Sequence, residues 1–234
     1  MRTAAFILAF ILLIGCKQNT PKTEFLGMVN LEVTGNSKAV AQFERGLLLL
    51  HSFEYQDARE AFREAQELDP QMPMAYWGEA MTYNHSLWHE QDYDEGAEVL
   101  KKLDAIDLEK NATELEQDFI AAVGILFQSE TEKQERDLAY AGFMEGLSKK
   151  YPDNHEVAAF YALSLLGSVP DGRDEELYGK GAKIALGILA ENPSHPGALH
   201  YTIHSYDDPK HAALALEAAH AYAEVAPDAS HALH

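Results

Sequence analysis

"YQDAREAFREAQELDP", residues 55 to 70, decides the fold. Ala58, Phe62 and Ala65 recur at helical spacing with polar residues between them, and Pro70 closes the run because proline lacks the N–H that a helix interior needs. The stretch before it, "AVAQFERGLLLLHSF" at residues 39 to 53, has the same period. Together they predict two antiparallel helices joined by a short turn. No later segment shows sustained apolar–polar alternation with hairpin turn signals, so the chain is expected to be all-α.

The prolines that close helical runs also serve as a ruler. Pro70, Pro152, Pro193 and Pro227 each follow such a run, and the last two are 34 residues apart. Gly46, Tyr55, Ala58, Phe62, Ala65 and Pro70 supply a small-and-aromatic pattern in the first unit, and residues 39 to 70 thereby resemble one tetratricopeptide repeat. The resemblance runs from residue 39 to the end with a divergent middle third. It implies a right-handed solenoid of helical hairpins, like that of repeat-containing bacterial lipoproteins without an assigned activity. The 82 residues from Pro70 to Pro152 predict an enlarged middle unit, its extra length supplied by "NATELEQDFIAAVGILF" and "TEKQERDLAYAGFMEGLSKK". "DASHALH" begins like the first helix of another unit, so the chain is expected to continue beyond His234.

In that family the first helices line a concave groove, and the resemblance places particular residues on it. Phe43, Leu47 and His51 come from the first unit, Trp77, Met81, Asn84 and His85 from the second, and His200 and His204 from a later one. One end of this groove is aromatic and apolar. The other is imidazole-rich and lacks the Lys and Asn residues with which cytosolic relatives clamp a peptide carboxylate. A protein, peptide or small ligand is the expected occupant.

The histidine-rich end supports a second reading. Residues 195 to 234 hold seven of the eleven histidines. His200 and His204 are one helical turn apart, His231 and His234 fall on the corresponding helix of the next unit, and Asp207 and Asp208 follow closely. Four imidazoles and a carboxylate suit a divalent transition metal such as Zn²⁺, Cu²⁺, Ni²⁺ or Fe²⁺ better than Ca²⁺. His155 and His195 beside their prolines are expected at turns or helix starts, and His211 and His220 on the surface or between helices.

The N-terminus carries an address. Arg2 precedes an apolar run from Ala4 to Ile14, and "LIGC", Leu13 to Cys16, resembles the lipobox whose cysteine is acylated and becomes the first mature residue. Residues 1–15 are therefore expected to be a signal peptide, 16–37 a tether and 38–234 the repeat domain. The protein is expected in the bacterial cell envelope, periplasmic or at the cell surface, with the lipid its only membrane attachment. Cys16 is the only cysteine, which excludes an intramolecular disulfide. A net charge of −20 disfavours nucleic acid. The chain has no phosphate-binding glycine loop, no Gly-x-Ser-x-Gly elbow and no cysteine–histidine pair, so binding is expected rather than catalysis.

Overall fold

The structure, a computed structural model, describes residues 24–233. The signal segment, Cys16 and His234 lie outside the described residues. Eleven α-helices follow one another: α1 (Ser37–His51), α2 (Tyr55–Leu68), α3 (Pro73–Met81), α4 (Tyr93–Lys101), α5 (Leu108–Asn111), α6 (Glu114–Leu126), α7 (Lys133–Lys150), α8 (His155–Gly167), α9 (Glu175–Glu191), α10 (Pro196–Ser205) and α11 (Ala212–Val225). The only strands among the described residues are β1 (Asn84–His85) and β2 (Glu90–Gln91), an antiparallel pair that ties off the turn carrying Trp88. No helix of the described residues is long and apolar enough to cross a membrane.

Local chemistry sets the helix ends. The Asn36 side chain accepts from the N–H groups of Lys38 and Ala39, Thr113 and Glu116 form a reciprocal capping box, and Pro73 and Pro196 begin helices where a missing N–H costs nothing. Small residues then set the spacing. The Phe62 ring of α2 lies against Gly46 of α1 and Gly78 of α3, where an added Cβ would come within 2.8 Å and 2.3 Å of it. A larger residue at either position would push neighbouring helices apart. Helices α6 and α7 occupy the middle of the chain.

The interior is aromatic. Trp77 packs against Phe43, Phe119 and Phe160 at ring separations of 6.4, 5.4 and 5.3 Å, so residues from α1, α3, α6 and α8 meet at one place. Helix α10 returns to α1, with Gly197 against the His51 ring. The face on which an open groove was expected is enclosed: Phe43, Leu47, Trp77 and Met81 are all buried. The expected tether also differs over residues 24 to 36. Leu26 and Leu31 are buried, Met28 donates its N–H to the Ser194 carbonyl, and both the N–H and hydroxyl of Thr34 donate to Glu116. Two leucines and a set of backbone hydrogen bonds make this segment part of the fold.

Candidate metal centre

The centre begins at the end of α1. Phe53 adopts a left-handed conformation with φ 57°, its N–H bonded to the Leu50 carbonyl and the N–H of Glu54 to that of Leu49. This is a Schellman ending with phenylalanine where glycine is the usual residue. The same helix end leaves the His51 carbonyl without an intrahelical donor. His200 supplies one, its Nδ1 lying 2.7 Å from that oxygen.

A carbonyl oxygen can only accept, so His200 Nδ1 carries a proton. In the neutral ring, Nε2 is then the bare nitrogen. It points at His204 Nε2, 3.0 Å away and one turn along α10. His231, on the 3₁₀ turn Ser230–Leu233, is brought in by its backbone N–H, which donates to Glu54 Oε1 at 3.0 Å. Its ring centroid lies 4.8 Å from that of His200 and 6.0 Å from that of His204. One ring nitrogen from each of the three histidines lies within 4.8 Å of the others. Burial, reinforced by the neighbouring imidazoles, holds the His200 pKa well below the ordinary value. Burial and then His231 bring His204 down to about 4, against a smaller opposing pull from Asp207. Both rings are therefore neutral at pH 7 and available as ligands.

A second cluster sits deeper and joins three parts of the chain. His51 Nε2 is 2.7 Å from Glu156 Oε2, His195 Nε2 is 3.0 Å from Glu156 Oε1, and all three side chains are fully buried. The ring nitrogens and the carboxylate lie close enough together to resemble a metal site. Hydrogen bonding argues against ligation. His195 Nδ1 accepts the Ala198 N–H at the start of α10, so in the neutral ring the proton sits on Nε2 and is donated to Glu156. His51 donates to the other carboxylate oxygen and accepts at Nδ1 from the Tyr201 hydroxyl, 2.8 Å away. Burial alone would raise the Glu156 pKa, but the facing imidazoles outweigh it and hold the carboxyl below its ordinary range. This cluster is a buried carboxylate held by N–H donors.

The remaining expected site residues are dispersed. Asp208 is excluded from the centre because it accepts from Arg173 at 3.1 Å and from His211 Nδ1 at 2.7 Å. Asp207 is exposed and acts on His204 only through its charge. Asn84 is bonded to Ser86 and Gln91, while His85 stacks on Tyr55 at 4.2 Å. His155 pairs with Glu191, and His220 is exposed. Sequence reasoning missed Glu156, Tyr201 and Phe53 and expected His195 only at a turn or helix start, where it does cap α10. Phe53 alone carried a signal, as a bulky residue at a helix end with no glycine nearby.

Three imidazole nitrogens, with the His200 ring proton held on the far nitrogen, suit a borderline transition metal and supply three of the four ligands that a tetrahedral site takes. Comparison of the chain with protein-family models, curated proteins and solved structures gives no match.

Proposed function

We propose that this protein binds a divalent transition metal through His200, His204 and His231, on a scaffold of tetratricopeptide-like hairpins closed on itself. The observation that carries the reading is the tautomer of His200, whose outer nitrogen is committed to the His51 carbonyl while Nε2 faces His204. Metal-ligating histidines characteristically donate their second ring N–H to a carbonyl or carboxylate in this way. The 3.0 Å between the His200 and His204 nitrogens agrees, since nitrogens about 2.1 Å from a shared ion lie about 3.0 Å apart at a right angle and about 3.4 Å apart at a tetrahedral one. A partner lying along the apolar half of a groove is not favoured, because Phe43 and Trp77 are enclosed. Attachment to the cell envelope through Cys16 is part of the proposal and rests on the lipobox-like sequence alone.

Metal analysis of protein purified without an affinity tag is expected to find about one equivalent of Zn²⁺, Cu²⁺, Ni²⁺ or Fe²⁺ per chain. Re-addition to chelator-treated protein should raise the melting temperature, with about 2.7 kcal/mol of stabilisation at free metal a hundredfold above Kd. His200→Ala should abolish both effects. Tag-free protein that neither carries metal nor gains stability from it would overturn the reading.

A further inference from the structure

The aromatic surroundings of the centre break local rules. Phe53 occupies a left-handed position that glycine fills without strain, and such strain, about 1–2 kcal/mol, persists where the side chain is held for another reason. Its ring lies 4.2 Å from His200 and 5.8 Å from both His204 and His231. Trp88 stands edge-on to that ring at 5.4 Å and to His231 at 6.3 Å. The next residue, His89, is a second non-glycine with left-handed backbone, φ 54°. Trp88 is nevertheless well anchored. Its turn is closed by the β1–β2 pair and set against α8, where a Cβ on Gly167 would come within 2.8 Å of Ser86 Cβ. The indole remains 47% exposed, a large apolar group held at the rim of a half-buried cluster of imidazoles.

We propose that the centre takes, as its exogenous ligand, a flat aromatic molecule bearing a nitrogen or oxygen donor. The donor would complete the coordination of the ion while the ring packs on the half-exposed indole of Trp88. This rests on the metal reading above. Three facts point to it: three protein ligands among the described residues, the carboxylate of Asp208 committed elsewhere, and the half-exposed indole of Trp88 held beside His231 by the β1–β2 turn.

The test uses the full chain loaded with Co²⁺, whose visible spectrum reports ligand exchange. Imidazole and 4-phenylimidazole offer the same donor and differ in aromatic area. The phenyl compound should bind about tenfold more tightly to the wild type, the margin expected for an added ring packing on aromatic walls. Trp88→Ala should remove most of that margin while leaving imidazole affinity and Co²⁺ stoichiometry unchanged. Trp88→Leu, which keeps an apolar side chain at this half-exposed position, should do the same and guards against a folding defect. Equal binding of the two compounds by the wild type, or an undiminished margin in both variants, overturns the inference and leaves the metal reading standing. Failure of Co²⁺ to bind overturns both.

Discussion

Two clusters in this molecule look alike by residue type and distance and differ in what they can do. His200, His204 and His231 bring their nitrogens together, as do His51, Glu156 and His195 with their nitrogens and carboxylate. The outer group has a proton fixed on the far nitrogen of His200, so a lone pair faces inward. In the inner group the far nitrogen of His195 is an acceptor, so a proton faces inward. Proximity makes a candidate, and the hydrogen bond on the opposite edge of each ring decides between ligand and donor. His51 connects the two, its side chain on Glu156 and its carbonyl on His200.

The largest expected effect lies in the inner cluster. Glu156→Gln places an amide N–H₂ against imidazole donors and removes a buried charge that two rings compensate, and should cost about 3–5 kcal/mol in chemical denaturation. Metal stoichiometry should remain that of the wild type. A variant that keeps full stability but loses metal would reverse the roles assigned to the two clusters.

Acid unfolding should separate the clusters by pH. The folded-state pKa of His204, about 4, is below the unfolded value near 6.5, so the unfolded chain binds more protons between these limits. Stability from this group is full above about pH 6.5 and is lost as the pH falls towards 4, by roughly 2–3 kcal/mol. Glu156, also lowered, contributes stability above its unfolded value near 4.3 that is lost only at lower pH. Denaturant midpoints measured in steps from pH 7 to 3 should therefore fall in two phases. His204→Gln should shrink the upper phase, His200 supplying the remainder, and Glu156→Gln should remove the lower.

Gly197→Ala sharpens the link between the clusters, because the new Cβ would meet His51 Nδ1 at 2.3 Å. The ring must move, at about 1–3 kcal/mol. Since the same residue's carbonyl orients His200, metal affinity should also fall, by about tenfold, as when an outer-shell partner is disturbed. Calorimetric titration of the variant measures that change. The smallest effect is expected from Asp208→Asn, which should leave metal affinity unchanged and stability within about 1 kcal/mol of the wild type, because its ion pairs lie near the surface. A tenfold loss of metal affinity in this variant would return the aspartate to the ligand set.

Much of this architecture was legible before any coordinates. Helical periodicity, capping residues and closing prolines act within a few residues of one another, so all-α hairpins and the long pair at residues 114–150 follow from local sequence. The i,i+4 spacing likewise puts His200 and His204 on one face of α10. Tertiary structure decided what those features could not. The packing of Phe119 from α6 and Phe160 from α8 on Trp77 turned an expected groove into an enclosed interior, because burying Phe43 and Trp77 between helices removes more apolar surface from water than leaving them along an open face. Tertiary structure also set the tautomers of His51, His195 and His200. A ring nitrogen's role depends on what faces the other nitrogen, and for His200 that is a carbonyl 149 residues away in the chain.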